Sequence, residues 1–140
     1  MTLEEFERFM LSKSSGRTIT PTSEQMIERV WSGMKKMAFD TTPLLLTVND
    51  PQGYTIIRKI DDQTFIRKPE RPMLQTSGDL DIDEMLLDGL AYFVLAGLEL
   101  QRSKVLMGMY WGEIDSYNDK LSETYLGVAS NEADRFRVFP

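Results

Sequence analysis

Apolar residues recur at helical spacing in four stretches of the chain, and between the second and third they form short runs broken by turns. Thr2-Leu3-Glu4-Glu5 has capping-box order, in which Thr2 and Glu5 each bond the other's backbone N–H. Phe6, Phe9 and Met10 then share a face, which predicts a first helix from Thr2 to about Leu11. Ser12-Lys13-Ser14-Ser15-Gly16 breaks it. In the second stretch Met26, Ile27, Val30, Trp31, Met34, Met37 and Ala38 recur, with Lys35 and Lys36 on the opposite side. Its start lies within Thr20–Thr22: Thr20 caps with Pro21 at the first helical position, or Thr22 boxes with Gln25. Its end is expected near Asp40, ahead of Pro43.

The middle reads as β structure. Leu44-Leu45-Leu46-Thr47-Val48, Tyr54 to Ile60, and Thr64-Phe65-Ile66-Arg67 are strand-like runs. Asn49-Asp50-Pro51-Gln52-Gly53 and Asp61-Asp62-Gln63 are the turns between them. Turns this short predict an antiparallel meander, which three strands can sustain only by lying on the helices. Pro69 and Pro72 then keep the chain extended.

The third helix is expected to begin near Asp81, with Asp81 and Glu84 at capping-box spacing. Ile82, Met85 to Leu87, Leu90, Ala91, Phe93 to Leu95, Leu98 and Leu100 surround most of it. A helix apolar nearly all round is either central in the fold or covered by a partner. Gln101-Arg102-Ser103 marks a tight connection or kink. The fourth helix carries Val105, Leu106, Met109, Tyr110, Ile114, Tyr117, Leu121 and Tyr125, and is expected to end near Gly127.

The fold class that follows is α+β, mainly α. It is a bundle of about four helices with a small three-stranded antiparallel meander, about 44–68, between the second and third. Residues 1–129 form one domain, and residues 130–140 an extended C-terminal docking tail.

Composition narrows the function. A chain of 140 residues with 41% hydrophobic content can bury a core. Histidine and cysteine are both absent, which excludes the usual hydrolase triads, thiol nucleophiles and the commonest zinc sites. The expectation is a protein that is not an enzyme and takes no cofactor and no metal. The acidic start lacks the order of a signal peptide, and the apolar stretch at 86–100 is broken by Asp88 and Glu99, so no membrane association is expected. The net charge of −6 is uneven: residues 1–75 hold 11 Lys/Arg against 10 Asp/Glu, residues 76–140 hold 5 against 12. The acidic half suits a basic protein surface or simple solvation better than a nucleic-acid backbone.

Several motifs are candidates for chemistry or for contact. Asp79-x-Asp81-x-Asp83 resembles the opening of a calcium loop, but positions six and twelve hold Glu84 and Leu90 where Gly and Glu are needed. Arg58, Lys59, Arg67, Lys68 and Arg71 form a basic cluster, suited to a phosphate backbone, to an acidic neighbour, or to protecting a sheet edge. The stripe Tyr110, Tyr117, Tyr125 suits helix packing with hydroxyls at the rim. Trp111, one residue off that stripe, is a candidate subunit contact. In the tail, Arg135, Phe136, Arg137, Val138 and Phe139 set three large apolar groups among arginines. They either fold back on their own domain or dock on another protein.

One pattern is familiar. The extended segment Ile66-Arg67-Lys68-Pro69-Glu70-Arg71-Pro72, the run from Leu80 to Ala96, and the helix from Tyr110-Trp111 to Tyr117 together resemble the head-to-tail connector (neck adaptor) proteins of tailed bacteriophages. The likeness covers roughly residues 64–126. It implies a helical-bundle subunit of a homo-oligomeric ring, a dodecamer, seated between the portal protein and the next neck or tail protein in the virion, and present in the host cytoplasm during assembly. Genomic DNA would pass through the channel without sequence-specific binding. Arg58, Lys59, Arg67, Lys68, Arg71 and Trp111 would be subunit or channel contacts. The tail would match a portal-docking segment by position. The alternatives are an acidic chaperone of the type III secretion kind, which needs further strands where residues 103–126 read as helix, and a small enzyme of unknown type.

Overall fold

A computed structural model describes residues 1–16, 20–73 and 78–131. Helix α1 spans Leu3–Leu11, and both bonds of the Thr2–Glu5 capping box are present. Helix α2 spans Ser23–Asp40 and starts from the Thr22–Gln25 box, so Thr20 and Pro21 lie ahead of the helix. Met26, Ile27, Val30, Met34, Met37 and Ala38 bury the face that the spacing predicted, and Trp31 sits half-buried beside it.

The Leu44–Leu46 run is not a strand. It forms a single 3₁₀ turn, and strand β1 is only Thr47–Val48. The cause lies far along the chain. The Asp83 carboxylate accepts the N–H groups of Leu44 and Leu45 at 2.9 and 2.8 Å, which fixes the start of a helical turn. Leu46 is buried while Leu44 and Leu45 face outward. Strand β2 (Ile56–Asp61) and strand β3 (Thr64–Arg67) form a hairpin, and β1 pairs with the other edge of β3. The antiparallel sheet therefore runs β1-β3-β2, not in the sequential order of a meander. The connection through Gly53, at φ +86°, carries the chain past β3 before β2 begins. Ile66, on the central strand, is the one fully buried strand residue.

Residues 80–83 also depart from expectation. They are not the start of the third helix: a 3₁₀ turn at Glu84–Leu86 precedes helix α3, which spans Leu87–Leu98. Leu80 and Ile82 are buried, whereas Asp81 and Asp83 are only partly covered. The alternation has a strand's period of two, yet the chain bends at 81 and 82, where the Ile82 N–H donates to the Leu80 carbonyl at 2.9 Å.

Helix α3 packs on α1, on α2 and on helix α4 (Ser103–Asn131), so it is central. Leu90, Ala91 and Leu95 are fully enclosed. Each buried leucine contributes about 2 kcal/mol from the area withdrawn from water. Gly33 and Gly89 are the points of close approach. A β-carbon on Gly33 would stand 2.5 Å from Leu90, and one on Gly89 would stand 2.8 Å from Met37. Helix α4 follows a 3₁₀ turn at Leu100–Arg102 and buries Leu106, Tyr110, Ile114 and Tyr117. It runs on through Gly127 to Asn131, so the expected end near Gly127 and the tail boundary at 130 both fall inside the helix. A single glycine costs a helix only about 1 kcal/mol, and Val128 and Ala129 follow it.

Candidate functional site

Most of the basic cluster is occupied by the fold itself. Arg58 closes α2: its guanidinium donates to the carbonyls of Phe39 and Thr41, left without helical partners at that end, and to the Thr42 hydroxyl beyond it. Arg67 forms a two-pronged pair with Asp81 and donates a further bond to the Leu45 carbonyl. Its pKa is raised, first by the Asp81 hydrogen bond. Arg71 bridges Glu28 and Glu24 on the surface of α2, at 2.7 and 2.9 Å. Lys59 stands near Asp62, at 3.3 Å, and both are largely exposed. Lys68 lies over the Trp31 ring, as does Lys35. The Trp31 indole N–H donates to the Pro69 carbonyl, tying the extended Pro segment to α2.

The acidic motif is likewise divided among separate tasks. Asp81 also accepts the Glu70 N–H. Asp83 takes the two amides of the 3₁₀ turn and the Tyr117 hydroxyl. Residues 80–83 therefore clasp together the sheet exit, the turn ahead of β1 and helix α4. Among the described residues no three His, Cys, Asp or Glu side chains converge as a metal site would need. Tyr110 donates to Asp40, which also faces Lys36 at 3.1 Å. Burial first, then the carboxylate acceptor, raises the pKa of both Tyr110 and Tyr117 above the ordinary value of 10. These hydroxyls are fixed hydrogen-bond donors.

The chain's remaining resource is apolar surface. Trp111 is 43% exposed, in a T-shaped pair with the Tyr110 ring and with Lys36 near its face. Leu100 is 80% exposed at the corner between α3 and α4. Val105 and Met109, near the start of α4, are exposed as well. They lie next to Gly108 and Gly112, where a β-carbon would meet nothing within 4 Å among the described residues. Two glycines within a helix weaken it by about 1 kcal/mol each relative to alanine. A groove of about 470 Å³ runs between α2, the end of α3 and the start of α4, lined by Arg29, Phe93, Val94, Leu100 and Met107. A second, of about 310 Å³, is bordered by Leu44, Leu45, Ile82 and Leu87.

Of the residues singled out from sequence, the fold brings Arg67 into the Asp81 clasp and leaves Lys59, Lys68 and Trp111 at the surface. Arg135, Phe136, Arg137, Val138 and Phe139 lie outside the described residues. The pairing of Asp83 with Tyr117, 34 positions apart, had no signal in the sequence. The exposure of Leu100, Val105 and Met109 had a faint one: they lie off the Tyr110–Tyr117 stripe. No helix among the described residues is long and apolar enough to cross a membrane. Compared with family models, with curated proteins and with solved structures, the chain matches none.

Proposed function

We propose that this chain is a structural subunit of a phage neck: a head-to-tail connector whose copies form a ring between the portal and the next neck or tail protein. The observation that carries the reading is the exposed apolar surface at Leu100, Val105, Met109 and Trp111, on a chain whose core is already closed by its own helices. Apolar groups exposed on an acidic surface suit protein contact; Val105 and Met109 lie on one side of the buried face of α4, and Trp111, about 200° round the helix from Met109, lies on the other. A ring needs heterologous contact, in which one patch meets a different patch on the next copy. The α3–α4 corner and the groove beside it supply two unlike patches. The order of segments that resembles the connector family, from Ile66 to Tyr117, supports the same reading.

Within this reading the channel contacts narrow. Arg58, Arg67 and Arg71 already hold the fold together, so Lys59 and Lys68 are the cations offered to passing DNA. Contact through two lysines per copy is electrostatic and indifferent to sequence. The test is genetic. Deleting the gene from its phage is expected to leave DNA-filled heads and separate tails, rescued by supplying the chain in trans. Normal tailed particles formed without it would overturn the proposal.

A further inference from the structure

We infer that the groove between α2, the end of α3 and the start of α4 is the receptor for Phe136–Phe139 of a second copy of this chain. The groove is open, about 470 Å³, and mostly apolar. Its floor is Phe93, Val94 and Met107, and its lip is Leu100, which the described residues leave four-fifths exposed. Phe136, Val138 and Phe139 are the one cluster of large apolar side chains that the sequence places beyond α4. Two aromatic anchors and a valine fit such a cleft in size and kind.

Reach decides which copy supplies them. The groove end nearest to Asn131 lies at Phe93, whose ring packs on Tyr110 at 5.7 Å. From Tyr110 to Asn131 helix α4 rises about 32 Å, and from Met107 about 36 Å, at about 1.5 Å per residue. The eight residue steps from Asn131 to Phe139 span at most about 29 Å fully extended, before any reversal of direction. The segment therefore cannot fill the groove of its own chain, and a neighbour's segment is required. Charge agrees in part. Glu28 lines the groove and Glu24 stands one turn away, and both pair with Arg71. Arg135 and Arg137 would meet this acidic side, while Arg29, held to the Gly97 carbonyl, forms the other rim. Such contacts run groove to segment around the assembly, so each copy gives one and receives one. The inference rests on the ring reading for its use in the particle. The contact itself is measurable without that reading.

The experiment uses two full-length variants. Leu100→Glu places a charge at the lip while altering an exposed residue, so the fold is kept; circular dichroism checks this. Phe136→Ala with Phe139→Ala disables the segment and leaves the groove intact. A fluorescent peptide of residues 130–140 is expected to bind the double-alanine variant, and to bind about tenfold or more weakly once Leu100→Glu is added. Analytical ultracentrifugation should find each variant alone unassembled, and their mixture as a one-to-one complex joined by the one groove and the one segment still intact. A peptide that does not bind, or that binds equally with Leu100→Glu, overturns the inference. If the peptide fails while the native chain still forms rings, the ring reading stands and this contact falls. If the peptide binds the groove while the native chain forms only open strings, the contact stands and the ring reading falls.

Discussion

Replacing Asp83 with alanine tests the clasp at residues 80–83, and its cost follows from three hydrogen bonds. Asp83 accepts the N–H groups of Leu44 and Leu45 and the hydroxyl of Tyr117. Leu44 and Leu45 are 64% and 50% exposed, so water replaces the carboxylate at those amides and each loss costs about 0.5–1 kcal/mol. Tyr117 is buried, and losing a charged acceptor there costs about 1–2 kcal/mol. Its hydroxyl keeps weaker partners in the Leu44 amide and the Thr42 carbonyl, which limits the damage. The sum is about 2–4 kcal/mol, a large part of the stability of a domain this size. For a chain of this length it corresponds to a fall in Tm of roughly 6–12 °C. Thermal and urea unfolding followed by circular dichroism would measure it. Tyr117→Phe and the double variant complete a cycle whose coupling should be about 1 kcal/mol or more. A Tm within about 1 °C of the native protein would refute the clasp.

Other outcomes follow from the same structure. Val94→Asp, at a position 1% exposed on the central helix, should abolish folding, since an unpaired buried carboxylate costs several kcal/mol; a soluble protein with native helix content would contradict this. Gly108→Ala with Gly112→Ala should stabilise the isolated subunit by about 1–2 kcal/mol, because a β-carbon there meets open space. If a neighbour's backbone approaches that face, the same pair of changes weakens self-association, so denaturation and sedimentation should move in opposite directions. Tyr110 and Tyr117 have folded pKa values raised above 10. Their contribution is therefore fully present below pH 10 and is lost as the pH climbs from there toward the folded values. Urea titrations across that range should show falling stability, much reduced in the Tyr110→Phe, Tyr117→Phe variant.

The helices were legible because their signals are local. The Thr2–Glu5 and Thr22–Gln25 boxes, the spacing from Met26 to Ala38, and the apolar girth of α3 each state their structure within a few turns of chain. The errors lie where a distant residue decides. Leu44 to Leu46 has strand composition, yet Asp83, some forty positions away, pins its amides into a 3₁₀ turn. The Asp81–Glu84 spacing resembled a helix cap, but Arg67 holds the Asp81 carboxylate, Tyr117 holds that of Asp83, and the chain bends at 81–82 instead of starting the helix. The alternation Leu80-Asp81-Ile82-Asp83, a period of two, spoke against a helix at these residues. The strand order was hidden for a similar reason: turn lengths do not say which edge of β3 a two-residue strand will join. Basic residues were legible as a cluster but not by task. Only geometry separates Arg58, which closes a helix, from Lys68, which remains at the surface.

Native mass spectrometry and electron microscopy of the purified full-length protein test the proposed ring without any other component of the particle. The expected particle is a closed ring of identical copies, twelve-fold, with an open central channel, falling apart when Leu100 is changed to Glu. A single chain at every concentration, or a closed two-fold dimer with no channel, would contradict it.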